Sequence, residues 1–276
     1  MGEYLTVLGA VLLTAGLIAL GYIILVAPGR KMDIEKYKNM KFAHRGLHND
    51  KRAENSMSAF AAACDAGFGI ELDVRLSSDG ELVVYHDDDL KRVARREGLV
   101  RDFTADELGT MKLLDTEDTI PRFSDVLSLV DGRVPLLVEI KEDAGDSAVS
   151  EATAKILADY KGDYLIESFN PISLSTVAKK LPGATRGILS HRYFAYDKYK
   201  KPLYFLLQAL LLNRVCRPAF VAYDHNHYDS FSLKLARHLG AVTFAWTVRS
   251  EDEEITAREH GFDGVIFENY IPRKKK

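Results

Sequence analysis

Residues 69–86 read GIELDVRLSSDGELVVYH, and the reading of this stretch decides the fold. Its apolar first half carries Glu71 and Asp73 two residues apart. In a β-strand that spacing points both carboxylates to one face. The connection from Val74 to Leu82 is seven residues long and contains Asp79-Gly80, a favoured hairpin pair. Parallel neighbours need a crossover of about a dozen residues or more. The second half therefore folds back antiparallel on the first and ends on His86.

Working outward, strand-like runs lie at 42–45, 69–74, 82–86, 135–141, 164–169, 186–190, 220–224, 242–248 and 264–268. Helical patterns separate most of them, at 55–66, 124–130, 147–159, 172–180, 203–213, 230–239 and 251–260. Such alternation predicts a parallel α/β sheet. With the run 82–86 folded back outside the ring, eight parallel strands remain, the number in a TIM (β/α)8 barrel. Residues 87–120 form a small, charge-rich insertion with no clear strand. The expected organisation is an anchor at 1–27, a short polar linker at 28–40 and a barrel over 41–276.

The anchor follows from residues 5 to 27, a run of 23 without a charged side chain. About 20 apolar residues cross a bilayer as a helix. The rival is a cleaved signal peptide, but that has a basic start and an apolar core of about 7–15 residues. Here Glu3 is the only charged side chain before the run. Arg30, Lys31, Lys36, Lys38 and Lys41 follow it, and no Lys or Arg precedes it. The positive-inside rule then predicts a single-pass membrane protein with its C-terminal part in the cytoplasm. A net charge of −3 gives no signature of nucleic-acid binding. Cys64 and Cys216 have neither metal-ligand spacing nor a disulfide framework.

In such a barrel, reactive groups sit at the C-terminal ends of the strands. His44 closes the first run and is followed by Arg45; Glu71 and Asp73 lie near the end of the second; Glu139 and Lys141 close the run 135–141; His86 ends the hairpin. Acids on one face of an apolar strand are costly to bury. They become tolerable when a divalent cation binds them. Each residue alone has a plainer reading. A histidine at a strand end is commonly structural, Glu139/Lys141 could be a surface ion pair, and Asp87–Asp89 a solvated loop. Their joint placement argues for a site. The Asp224, His225, His227, Asp229 group reads instead as a structural or substrate-rim cluster.

The sequences FAHRGLH, AENSMSAF, GFGIELDVRLSSDGELVVYHDD, LLVEIKED, IESFN and FAWTV, in this order, resemble the glycerophosphodiester phosphodiesterase family over about residues 41–271. The resemblance implies a TIM barrel and one divalent cation held by Glu71, Asp73 and Glu139. It implies His44 and His86 as acid and base, and Arg45 and Lys141 against the phosphate. Phe169 and Trp246 fall on aromatic positions of the substrate-facing rim. The family usually has P-E-N-T where this chain has Ala53-Glu54-Asn55-Ser56, which matters little if Asn55 or Ser56 still caps the next helix. Glu54 either bonds within the site or faces the helix start.

All-oxygen ligation suits Mg²⁺ or Ca²⁺. The expected reaction is hydrolysis of glycerophosphodiesters to glycerol 3-phosphate and an alcohol. A lysophospholipid substrate at the membrane is the alternative, and a catalytically inactive binding barrel is the third reading. The 28 residues 191–218 bear on the choice, since they hold tyrosines, then Lys198, Lys200 and Lys201, then a leucine-rich stretch. That is the composition of a membrane-interface element, and equally of an amphipathic barrel helix.

Overall fold

The computed structural model describes residues 2–29, 33–143 and 145–273. The chain opens with α1 (Gly2–Val26) and enters the sheet at β1 (Lys41–Ala43). Next come α2 (Met57–Ala66), β2 (Gly69–Leu76), β3 (Leu82–Val84), α3 (Ala105–Leu108) and α4 (Phe123–Val130). β4 (Leu136–Ile140), α5 (Ala148–Leu157), β5 (Tyr164–Ser168), α6 (Pro171–Lys180) and β6 (Arg186–Ser190) follow in strict alternation. The rest is α7 (Pro202–Gln208), α8 (Asn213–Cys216), β7 (Phe220–Asp224), α9 (Phe231–His238), β8 (Val242–Val248), α10 (Glu251–Glu259) and β9 (Gly264–Phe267).

Eight of these strands form a closed parallel ring, because β1 pairs with both β2 and β9. β3 lies antiparallel on the upper part of β2, with Val74 opposite Val84, and stands outside the ring. The hairpin brings the chain back to the level of Asp73, whose carbonyl accepts from the Tyr85 N–H at 3.0 Å. The fold is therefore the expected TIM barrel with an antiparallel edge hairpin.

Strand alternation divides the core in two. Outward residues such as Ile70, Leu72, Val138 and Ile166 pack under the helices. Inward residues Phe42, Leu137, Leu165, Phe220 and Phe244 fill the lower barrel. Phe244 meets Phe42 and Phe220 edge-on, with centroids 5.6 and 5.2 Å apart. Gly187 makes room for this, since a Cβ there would fall 2.1 Å from the Phe220 ring. Ile34 and Tyr37, both buried, join this lower cluster and close the base. The segment 87–120 carries a separate small core, with Leu90, Val93, Leu108 and Leu113 packed on Val83 and Tyr85.

The helix expected over 203–213 is broken. α7 ends at Gln208, Leu210 takes a left-handed conformation with φ of 55°, and α8 begins at Asn213. The turn buries Leu210 and leaves Leu203, Phe205 and Leu206 exposed.

α1 is long and apolar enough to cross a membrane, with a mean hydropathy of 2.4 in its best window. Residues 2–20 of it are exposed, and its last turns dock on the barrel wall. Tyr22 stacks on Phe231 with centroids 5.9 Å apart and donates to Ser232 Oγ at 3.0 Å. Asn213 Nδ2 donates to the Val26 carbonyl at 2.9 Å, and the Gly29 N–H donates to the Pro218 carbonyl at 2.8 Å. Arg30 and Lys31 lie outside the described residues.

Ile34 is 1% exposed beneath the barrel, so Ile34→Ala removes packed methylenes that the base cannot refill. Truncations of this kind cost about 2–5 kcal/mol. Chemical unfolding of the purified full-length protein should show a loss of that size. An unchanged midpoint would mean that the base is not closed by this segment.

Candidate active site

The site sits where the inward alternation of the lower barrel turns from apolar to polar. Two residues above Phe42 stands His44; above Leu137 come Glu139 and Lys141; above Leu165 come Glu167 and Phe169; above Phe244 comes Trp246. Strand register brings the acids level, with Asp73 opposite Glu139 and Glu139 opposite Glu167. A cavity of about 290 Å³ opens between them, lined by His44, Arg45, Glu71, His86, Glu139, Glu167, Lys141, Phe169, Trp246 and Arg249 among others. Of the residues expected from sequence, only Asp73 is not part of the lining; it lies just beneath Lys141.

The carboxylates converge. One ligand oxygen from each of Glu71, Asp73 and Glu139 lies within 4.8 Å of the others. Lys141 Nζ stands 3.1 Å from Asp73 Oδ1 and 2.6 Å from Glu139 Oε1, and those two oxygens accept no other bond among the described residues. Asp73 Oδ2 accepts from Asn55 Nδ2 at 2.8 Å and faces Arg45 Nε at 3.5 Å. Glu71 Oε2 accepts from the Arg45 N–H at 2.9 Å. That contact needs the turn at Arg45 and Gly46, both at positive φ; a Cβ on Gly46 would strike the backbone of Ala59 in α2 at 2.9 Å.

Four buried acids against Arg45 and Lys141 leave the site short of positive charge. The effects are opposite on neighbouring groups. Burial, then Asp73 and Glu139, push the Glu71 carboxyl well above the usual range. Burial pushes Glu139 up to about 7, although Lys141 opposes it. Burial would raise Asp73 as well, but Lys141, His86 and Arg45 hold it well below. Burial opposes charge on Lys141, yet Asp73 and Glu139 outweigh it and raise its pKa. A compact set of carboxylate oxygens with too few cations is the donor set of a hard divalent ion, so Glu71, Asp73 and Glu139 fit one.

Both histidines are backed by a carboxylate. His44 Nδ1 lies 2.6 Å from Glu268 Oε2, and Glu268 also receives Arg249 Nε at 2.7 Å. His86 Nδ1 lies 2.6 Å from Asp87 Oδ1. The second ring nitrogen of each is then left for the cavity. Burial lowers both histidines, His86 to about 4, against the pull of the carboxylates around them. A chain of ion pairs holds the second one in place. Arg92, from the insertion, bonds Asp87 at 2.6 Å and both oxygens of Glu54 at 2.7 Å, and Glu54 bonds Arg45 at 2.6 Å. Glu54 is thus a bridge between the Arg45 turn and the insertion.

The hairpin and helix caps explain other positions. Ser56 caps α2 by accepting from the Ala59 N–H at 3.2 Å, which frees Asn55 for Asp73. The Asp224–Asp229 group is not part of the cavity lining and is tied up in ion pairs: His227 Nδ1 lies 3.0 Å from Asp224 Oδ2, His225 Nε2 lies 3.5 Å from Glu253, and Arg192 holds Asp229 at 2.7 Å. Phe169 and Trp246 meet edge-on at 5.6 Å, and His191 joins them to Tyr193, Tyr196 and Tyr199. Glu167, Glu268, Arg249 and Asn55 were not anticipated as site residues. Glu167 was within reach of the sequence, because it is two residues before Phe169 on the same strand face. Glu268 likewise ends its strand as His44 does.

Comparison with known proteins agrees with this geometry. The sequence profile of the Glycerophosphoryl diester phosphodiesterase family matches residues 44–271. A glycerophosphodiester phosphodiesterase of Caldanaerobacter subterraneus subsp. tengcongensis is 31% identical over 254 residues, covering 83% of this chain and 93% of that protein. The crystal structure of a glycerophosphodiester phosphodiesterase from Thermotoga maritima superposes with a TM-score of 0.66 at 27% identity, over 83% of this chain and 94% of that one. An Oleispira antarctica phosphodiesterase, solved in complex with the product sn-glycerol-3-phosphate, shares the fold with a TM-score of 0.72 at 21% identity, over 84% of this chain and 94% of that one. The chain belongs to the glycerophosphoryl diester phosphodiesterase family.

Proposed function

We propose that this protein is a metal-dependent glycerophosphodiester phosphodiesterase that releases glycerol 3-phosphate and an alcohol. The observation that carries the reading is the convergence of Glu71, Asp73 and Glu139 between two carboxylate-backed histidines in one cavity. A relative sharing 31% identity over most of both chains bears the same activity in its name.

Glu71, Asp73 and Glu139 hold the cation, Mg²⁺ or Ca²⁺. When bound, it neutralises charge on the phosphodiester, which otherwise repels a nucleophile. Arg45 and Lys141 add fixed positive charge on the same anion, the first as a planar fork and the second as a point charge. His44 and His86, each with Nδ1 committed to its carboxylate, turn Nε2 toward the cavity. One, as a neutral imidazole, takes the proton of the attacking hydroxyl at Nε2; the other enters the cycle protonated at Nε2, its carboxylate stabilising the imidazolium, and gives that proton to the leaving alkoxide. Phe169 and Trp246 form the wall for the glycerol or alcohol part. Glu167 Oε2 has no partner among the described residues and offers an acceptor to a substrate hydroxyl.

The chain is organised as an anchor at 1–27, a linker at 28–40 and a catalytic barrel at 41–276 with an insertion at 87–120. On this reading α1 spans the membrane once, and the basic residues that follow it argue for a barrel in the cytoplasm. A lysophospholipid is the second reading of the substrate. It is favoured by the exposed Leu203, Phe205 and Leu206 of α7 beside the site rim.

Three measurements test these assignments. His44→Ala and His86→Ala should each lower turnover of glycerophosphocholine by about 10²–10⁴; near-normal rates in both would remove the histidines from the chemistry. Asn55→Ala leaves all three metal ligands in place but frees Asp73, and loss of such an outer partner typically weakens metal affinity by about 10–100-fold. Terbium luminescence titration reads this without turnover, and unchanged affinity would place the cation elsewhere. Protease added to intact cells should spare the barrel, whereas digestion from outside would reverse the orientation.

A further inference from the structure

α1 does more than tether, because the place and direction of its docking fix how the barrel faces the bilayer. Tyr22 meets Phe231 and Ser232, which open α9 just after β7, and so lies at the C-terminal rim. Seven residues later, the Gly29 N–H bonds Pro218, just before β7, and so lies toward the base. The helix therefore runs down the wall from rim to base. Followed backwards, residues 2–20, all exposed, project beyond the rim on which the cavity opens. At 1.5 Å per residue they reach about 28 Å, close to the roughly 30 Å of a hydrocarbon core.

We propose that the rim between the β6–β7 connection and α9 rests on the surface of the same bilayer that α1 spans, with the cavity mouth turned toward the lipid. The occupant is the lipid surface, and four observations select it. The apolar part of α1 leaves the barrel at this rim and no other. Beside its exit stand exposed apolar side chains: Phe231 at 71%, Leu203 at 53% and Phe205 at 49%. Exposed Lys198, Lys200 and Lys201 flank them, suited to anionic headgroups. Tyr22 also lies 3.4 Å from the Ala209 carbonyl, so α7 is held next to the exit. The face is continuous with the cavity through rings, since Tyr204 stacks on Tyr193, Tyr193 lies tilted against His191, and His191 meets Trp246 edge-on. Substrate then enters from the membrane side between α7 and the Trp246 wall.

This inference rests on α1 as a membrane span and not on turnover. The full-length protein is placed in phosphatidylcholine–phosphatidylglycerol vesicles, with single probes at Leu203→Cys, Phe205→Cys and Lys161→Cys. Lys161 is exposed on the loop before β5, at the base, and the native Cys64 and Cys216 are buried. Nitroxide-labelled lipids should quench the probes at 203 and 205 strongly and leave the probe at 161 bright. Equal brightness at all three positions, or quenching at 161 alone, would overturn the apposition. Recovery of a shortened protein in the aqueous fraction would overturn the span itself. An inactive protein with the expected quenching would refute the catalytic reading and leave this one standing.

Discussion

The rest of the structure depends on the burial of several carboxylates at one level of a barrel. Asp73, Glu139 and Glu167 are neighbours in register, Glu71 stands one step below, and all are nearly closed to water. Charges so placed are tolerated only when paired. Lys141 and Arg45 supply part of the pairing, and each is positioned by other elements. Lys141 comes two residues after Glu139, just past the end of β4, and Arg45 comes from a left-handed turn whose close approach to α2 only the glycine at position 46 allows. The remaining negative charge is what a divalent ion satisfies. The barrel thus gives the rigid frame, and electrostatics determines what the frame must hold.

The second constraint is the return of His86. A parallel ring cannot deliver a side chain from outside itself, so the hairpin β2–β3 is needed to bring the chain back toward Asp73. The insertion that follows then serves the site through Arg92, which ties Asp87 to Glu54. Side chains scattered between Arg45 and Arg92 form one ladder, Arg45–Glu54–Arg92–Asp87–His86. This explains why a charge-rich segment without strands has a packed core of its own: it must hold Arg92 still.

Much of the frame was legible in the sequence because it is periodic. Strand alternation, the short Asp79-Gly80 connection and the spacing of helices lead to eight parallel strands and one folded back. The level of Glu71, Asp73 and Glu139 follows from the same period of two. Pairing across distance was not legible. Nothing local joins Glu268 to His44, since ring closure between β9 and β1 creates that contact. Nor does periodicity reveal the break at Leu210, where a leucine-rich run that reads as one helix turns to bury Leu210 and expose Phe205. The docking of Tyr22 on Phe231 is likewise tertiary. Seen along the chain, residues 28–40 are polar; in the fold, Ile34 and Tyr37 seal the base.

The central claim is that the carboxylate cluster is a working cation site in a phosphodiesterase. The most direct measurement is release of glycerol 3-phosphate from glycerophosphocholine, and from lysophosphatidylcholine in parallel, by purified full-length protein stripped with a chelator and then resupplied with Mg²⁺ or Ca²⁺. A working cation site gives no turnover after stripping and recovery with at least one ion, on at least one of the two substrates. Full activity in excess chelator would contradict it.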